Sequence, residues 1–225
     1  MQLKRRYRFW RGVVRLFSRP IRTEWAVPFT GEPSVFIANH AGALGPMYMC
    51  ARFPLADTLH PWMNAQVLSA REVPAYVRQD YWWPPESKLA PLFNATLPYI
   101  AAAVMPPILR TAPTVPVYHD MRVMRTLRES LRILKEGEPL LIFPEQPKGF
   151  KAHESGLNSG FLQVAPAFAR QTGQGLAFWP VRIDAKARVF SVGEPLRYDP
   201  QKPLAEQGDA LLSALAAAIH TDQPD

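Results

Sequence analysis

Val35-Phe36-Ile37-Ala38-Asn39-His40 is an apolar run that ends in two polar side chains, followed by a Gly-rich turn. An apolar run of this length, bounded by a turn, is typical of a buried strand. A second apolar run, residues 139–143, ends in Pro144-Glu145. Two strands are therefore predicted to release one chemically capable side chain each at their carboxyl ends, where open α/β sheets bind substrates.

Strand-like and helix-like segments alternate along the rest of the chain. Strands are expected at 24–29, 34–39, 115–118, 139–143, 176–183 and 188–192, with an extended piece at 58–64. Helices are expected at 46–53, 121–135, 158–172 and 204–220, and Gly137 and Gly173 mark two of their ends. Residues 60–110 are expected to be irregular. This alternation predicts an α/β fold with a mixed, mostly parallel sheet flanked by helices.

Composition favours one globular unit inside the cell. The chain has 225 residues, of which 48% are hydrophobic, so it can bury a substantial core. A single cysteine, Cys50, excludes an internal disulfide framework. No secretory cleavage region is recognisable, so a cytoplasmic protein is expected.

Positive charge is concentrated at the amino terminus. Eight Lys and Arg residues precede the first acid, Glu24, whereas the rest of the chain is nearly neutral. Residues 1–22 are predicted to form a basic amphipathic helix, followed by a single domain at 23–225. Its apolar stripe consists of Leu3, Tyr7, Trp10, Val14 and Phe17, and its basic face of Lys4, Arg8, Arg11, Arg15 and Arg19.

Three interpretations of this helix were open. It can lie on a membrane surface with its arginines among anionic lipids, or pack on the domain with a solvated basic face. Nucleic-acid binding is the weakest interpretation, because no recognition motif accompanies the charge. We therefore expect a membrane-surface partner and no nucleic acid.

No membrane-spanning segment is predicted. The longest apolar candidate, residues 97–109, contains three prolines and is shorter than the ~20 residues that a spanning helix needs. Nearby, Tyr81-Trp82-Trp83 makes the region unusually aromatic. This block is expected to be an acyl-chain lid, a membrane-dipping loop or ordinary packing of large side chains.

Asn39-His40, Phe143-Pro144-Glu145 and Trp179-Pro180-Val181, in that order, resemble motifs of the glycerophospholipid acyltransferase family. The family patterns are Asn-His-x4-Asp, Phe-Pro-Glu-Gly-Thr-Arg and a late Val-Pro-Val. Three departures stand out. Gly45 occupies the position of the motif Asp, Gln146-Pro147-Lys148 replaces Gly-Thr-Arg, and the middle motif is not recognisable around residues 117–120.

The resemblance implies an acyl-transfer site. His40 is its catalytic base, since a neutral imidazole with a pKa near ~6.5 suits removal of a hydroxyl proton. Asn39, Glu145 and Lys148 are implied to bind substrate. Acyl-CoA or acyl carrier protein is the implied co-substrate, with no metal and no resident cofactor. The other histidines, His60, His153 and His220, are expected to be structural or solvated, and His119 is a weaker candidate.

Gly45 is the main difficulty for catalysis, because a glycine cannot orient the imidazole or stabilise its protonated form. Asp120 is the first candidate for a substitute carboxylate, since it lies near the family's middle motif. The leading hypothesis is a peripheral-membrane acyltransferase for lysophospholipids or related acceptors. The alternatives are a catalytically impaired lipid-binding protein on the same fold and, more weakly, a basic-headed partner-binding domain.

Overall fold

The structure, a computed structural model, describes residues 5–41, 45–79, 90–118, 120–145 and 157–220. The helices are α1 Arg5–Phe17, α2 Gly45–Arg52, α3 Val73–Gln79, α4 Ala90–Leu109, α5 Val123–Lys135, α6 Val164–Thr172 and α7 Leu204–Ile219. The strands are β1 Arg22–Trp25, β2 Ser34–Ala38, β3 His60–Asn64, β4 Val115–Val117, β5 Leu140–Ile142, β6 Ala177–Asp184, β7 Val189–Val192 and β8 Leu196–Arg197. Short 3₁₀ helices span Ala65–Leu68 and Ser159–Gln163.

The strands form one mixed sheet in the order β1-β7-β6-β2-β5-β3-β4, with β8 beside β6. Pairing is parallel between β2 and both of its neighbours, β5 and β6, and continues parallel through β3 and β4. Among the strands of the described residues, β6 pairs antiparallel with β7 and with β8. The predicted mixed, mostly parallel sheet flanked by helices is confirmed.

Strand β2 is buried along its whole length because helices cover both faces of the sheet. Its side chains alternate between the two layers. Val35 and Ile37 join the core beneath α5, α6 and α7, whereas Phe36 and Ala38 join the core beneath α2. The central strand therefore holds its final residues in a fixed position between two packed layers.

Helix α4 is longer and more regular than the sequence predicts. Residues 60–110 are not irregular throughout, and α4 runs for 20 residues through Pro98, Pro106 and Pro107. It is also long and apolar enough to cross a membrane, judged by length and composition alone. Proline normally interrupts a helix because it lacks an N–H and clashes with the preceding turn, which is why the sequence favoured a shorter segment. The aromatic block Tyr81-Trp82-Trp83 lies outside the described residues.

Helix α1 packs on the domain instead of standing apart from it. Tyr7 is buried, the Arg11 side chain donates to the Ala56 carbonyl at 3.1 Å, and Arg15 donates to the Ala51 carbonyl at 2.6 Å. These two arginines thus attach α1 to the segment at and after α2. Arg22, expected to end the amino-terminal segment, is the first residue of β1.

The helix ends marked by glycine occur where the sequence placed them. Gly137 follows α5 with φ of 78°, and Gly173 follows α6 with φ of 71°. Only glycine adopts this left-handed conformation at little cost, so each residue stops its helix and turns the chain toward the next strand. Strand β8 was not predicted, since two residues carry no periodic signal.

Candidate functional site

The carboxyl ends of β2 and β5 meet at one edge of the sheet, because the two strands are parallel neighbours. His40 follows β2 and Glu145 follows β5. The His40 backbone N–H donates to Glu145 Oε2 at 2.6 Å, and the His40 ring lies 5.0 Å from the Phe143 ring, centre to centre. The expected proximity of His40 and Glu145 is confirmed, and their catalytic and binding roles stay predictions.

Asn39 is held by the backbone of the neighbouring strand. Its Oδ1 accepts from the Ile183 N–H at 2.6 Å, and its Nδ2 donates to the Ile183 carbonyl at 3.2 Å. The regular β2–β6 pairing ends one residue earlier, at Ala38 and Val181. The Asn39 side-chain amide therefore extends the hydrogen bonding between β2 and β6 beyond the end of β2. These bonds fix the direction in which the chain continues to His40.

The Trp179-Pro180-Val181 motif lies inside β6, beside β2. Trp179 is buried, and its indole N–H donates to the Ser34 hydroxyl at 3.2 Å across the two strands. This motif consequently supports the strand that carries Asn39 and His40 and contributes packing to the site.

The residues on either side of segment 146–156 pair with each other at the same edge of the sheet. Glu145 forms a β-bridge with Leu157, and the Asn158 N–H donates to the Pro144 carbonyl at 2.9 Å. Residues 146–156 between these anchors lie outside the described residues, and Lys148 is among them. Both ends of the segment that carries Lys148 are thus attached beside His40.

A second histidine lies near Glu145. His220 follows the last residue of α7, and its Nε2 is 3.5 Å from Glu145 Oε1. From the sequence, His220 is expected to be structural or solvated, since no local motif surrounds it. Only the amphipathic closing helix, which ends at this edge of the sheet, carried a signal for its position. Glu145 therefore lies between the His40 backbone and the His220 imidazole.

His60 occupies the opposite edge. It is the first residue of β3, it is buried, and its Nε2 lies 2.5 Å from Glu138 Oε2. The expected structural role of His60 is confirmed. His119 and His153 lie outside the described residues.

Asp120 is not brought to His40. It follows β4, which is separated from β2 by β5 and β3, or about 14 Å at the usual spacing of strands. Its carboxylate accepts from the Arg122 side chain at 2.7 Å, and this hydrogen bond lowers the Asp120 pKa to about 2. Among the described residues, no carboxylate hydrogen-bonds the His40 ring. A substitute-carboxylate role for Asp120 therefore receives no support from the contacts that it makes.

Gly45 is required by the shape of the turn. A Cβ atom built at Gly45 would lie 1.9 Å from the His40 carbonyl oxygen, far closer than any real contact. Ala41, next to His40, has φ of 44°, a conformation that non-glycine residues rarely adopt. The start of α2 is thus pressed against the His40 backbone. A side chain at position 45 would therefore require the turn after His40 to move.

Cys50 is unsuited to act as a nucleophile at neutral pH. It lies in α2 and shares a hydrogen bond with the Tyr7 side chain. Burial raises the pKa of its thiol to about 11, so little reactive thiolate exists near pH 7.

The described residues contain no group of three or more His, Cys, Asp and Glu side chains that could hold a metal ion. No protein-family model, no curated protein and no solved structure matches the chain.

Proposed function

We propose that the protein is a peripheral-membrane acyltransferase. It moves a fatty acyl group from acyl-CoA or acyl carrier protein to a lysophospholipid or a related hydroxyl or amine, at the cytoplasmic face of a membrane. The observation that carries this proposal is the contact between the His40 backbone and the Glu145 carboxylate at the joint end of β2 and β5. It gives one proton acceptor and one acid at the edge where substrates bind in open sheets.

His40 supplies the proton transfers in this mechanism. Its neutral imidazole removes the proton from the acceptor hydroxyl while the oxygen attacks the thioester carbonyl. The C–S bond then breaks, the new ester is released, and the imidazolium returns its proton to the thiolate that leaves. One proton thus passes from the acceptor hydroxyl through the imidazole to the thiolate, and no covalent enzyme intermediate forms.

Glu145 positions this base. By accepting from the His40 N–H at 2.6 Å, it fixes the backbone of the turn from which the imidazole projects. Its other oxygen faces His220, which places a second imidazole within the same site. Lys148 belongs to the segment anchored here and provides a positive charge for an acceptor phosphate, although a lysine lacks the planar two-pronged donor of arginine.

A catalytically impaired lipid-binding protein is the second candidate. Two observations favour it: the His40 ring has no carboxylate partner among the described residues, and a side chain at Gly45 would overlap the His40 carbonyl. Loss of the orienting acid in other His-dependent enzymes costs up to ~10^4 in rate. The two candidates share the site and the membrane and differ only in turnover.

Lipid mass spectrometry of intact cells separates these candidates. Cells that express the wild type, His40→Gln or no protein are compared, with His60→Gln as the control because His60 lies at the opposite edge of the sheet. For an acyltransferase, the wild type and His60→Gln shift the same acyl-lipid species, and His40→Gln resembles cells without protein. Identical lipid profiles in all four strains, with normal expression, contradict acyl transfer and favour lipid binding.

A further inference from the structure

Helix α4 exposes an apolar surface that the domain does not cover. Tyr99 and Ile100 are each 58% exposed and Val104 is 46% exposed. No charged residue occurs anywhere in α4, and only 17% of its most apolar 18-residue stretch is buried. An uncovered apolar helix of this length is unusual for a surface that faces only water.

One narrow stripe of α4 attaches it to the domain. Pro98, Ala102 and Pro106 recur at intervals of four residues and are buried. Ala102 belongs to a small cluster with Val73 and Val77 of α3. The exposed residues lie away from this stripe, so α3 holds α4 in place and leaves its apolar side uncovered.

The carboxyl-terminal end of α4 adjoins the amino-terminal half of α1. Arg5, Arg6, Phe9 and Trp10 of α1 line a shallow groove together with Pro107 of α4. Phe9 is 65% exposed. Aromatic side chains and guanidinium groups therefore border the apolar helix at this end.

We infer that α4 and the amino-terminal half of α1 form one membrane-docking face, which lies on a bilayer surface that contains anionic lipids. The exposed side of α4 enters the boundary between headgroups and acyl chains, with Phe9 and Trp10 beside it, while Arg5 and Arg6 contact lipid phosphates. Charge complementarity selects lipid as the occupant, because the charged side chains that line the groove are cationic and α4 carries no acid.

The helix lies in the plane of the membrane and does not cross it. The Arg78 guanidinium of α3 lies 5.4 Å from the centre of the Tyr99 ring, halfway along α4, and its Nη2 lies 3.4 Å from the Asn94 carbonyl oxygen. Arg110, directly after α4, donates to the Leu68 carbonyl at 2.8 Å. A spanning α4 would place Arg78 near the middle of the hydrocarbon, where a charged side chain is strongly disfavoured.

This inference rests on the membrane location in the proposed function, but not on acyl transfer. It predicts that vesicle binding depends on α4. Residues 1–22 alone are not expected to provide this binding. The double variant Ile100→Glu/Val104→Glu puts two negative charges on the face. Its matched control is Val123→Glu/Met124→Glu at the start of α5. These two apolar side chains are also exposed, by 51% and 53%, and the control adds the same two charges.

The test measures sedimentation of the full chain with vesicles of phosphatidylglycerol and phosphatidylcholine. The α4 variant should bind at least about tenfold more weakly than the wild type, and the α5 control should bind as the wild type does. Circular dichroism melts establish that each protein is folded. Ile100→Ser/Val104→Ser, which removes apolar surface without adding charge, replaces the first variant should that one fail to fold.

Three results overturn the inference. Wild-type binding by the α4 variants would leave α1 as the anchor. Equal losses in the α4 and α5 variants would indicate a general charge effect. A wild-type dimer in light scattering that becomes a monomer in the α4 variant would identify a second copy as the occupant. Acyl transfer to detergent-dispersed acceptors is assayed separately, so an inactive enzyme that still docks through α4 contradicts only the proposed function.

Discussion

The sheet edge at His40 and the surface of α4 are built by opposite means. At the edge, polar groups satisfy one another: Asn39 completes the β6 backbone, and Glu145 accepts the His40 N–H. On α4, apolar side chains have no cover and a single stripe attaches the helix to α3. A change at the edge should therefore cost folding free energy, whereas a change on α4 should cost only binding.

The largest effect is expected for Gly45→Asp. Since a Cβ here would lie 1.9 Å from the His40 oxygen, the turn must shift, and we expect a loss of about 3 kcal/mol in unfolding free energy. A shifted turn also moves His40, so we expect a decrease in acyl transfer. Urea unfolding of Gly45→Asp beside Gly12→Asp, where the added Cβ meets nothing within 4 Å, measures the difference. Equal stability of the two variants would show that the turn is loose.

Asn39→Leu should be the next most costly change. It leaves the Ile183 N–H and carbonyl unpaired in a covered position, with an expected loss of about 2 to 3 kcal/mol. Asn158→Ala, which removes one hydrogen bond to the Gly160 N–H at the start of a 3₁₀ helix, is the control and should cost about 1 kcal/mol. A smaller loss of unfolding free energy for Asn39→Leu than for Asn158→Ala would contradict the idea that the sheet edge at His40 is more rigid than its surroundings.

Packing of α1 on α2 predicts a specific loss of stability at alkaline pH. The folded-state pKa of the Cys50 thiol, about 11, lies above its ordinary value of 9.0 because burial disfavours the thiolate. The resulting stabilisation is complete below pH 9 and disappears as the pH rises toward 11, by on the order of 2 kcal/mol. Cys50→Ser should flatten this part of the pH profile in urea unfolding. An unchanged profile would mean that α1 does not bury the thiol in solution.

Neutralising the cations beside α4 should have the smallest effect. Arg5→Gln and Arg6→Gln should each weaken binding to anionic vesicles by about 1 kcal/mol, because each charge acts near the lipid surface. Added salt should reduce the difference. Arg11→Gln is a different case, since Arg11 binds the Ala56 carbonyl and its loss should lower stability instead. Deleting residues 1–22 would mix these two effects, so point variants give the cleaner measurement.

The strands and the site edge were predictable because their signals are local. An apolar run followed by Asn39-His40, and another followed by Glu145, required only that parallel strands end together. Helix α5 and its glycine stop likewise follow from periodicity and from the need for a positive φ at Gly137.

The remaining features depend on contacts distant in sequence. Helix α4 was missed because proline rules are local, while the helix is held by tertiary packing that includes Ala102 against Val73 and Val77 of α3. His220 lies 75 residues after Glu145 in the sequence, and no motif near it predicts their contact. Gly45 is the exception, because His40 is only five residues away in sequence. Its role depends on the conformation of the turn, whereas the motif indicated only a missing acid.

Acyl transfer by purified protein, with acyl-CoA and acyl carrier protein donors and a panel of lysophospholipids, tests directly whether this sheet edge is an acyl-transfer site. We expect turnover by the wild type, a loss of at least ~100-fold in kcat for His40→Gln, and unchanged vesicle binding in that variant. His220→Gln and Asp120→Asn in the same assay show whether His40 acts as the base on its own. Full activity of His40→Gln, or a wild type inert with every donor, would contradict the assignment of this sheet edge as an acyl-transfer site.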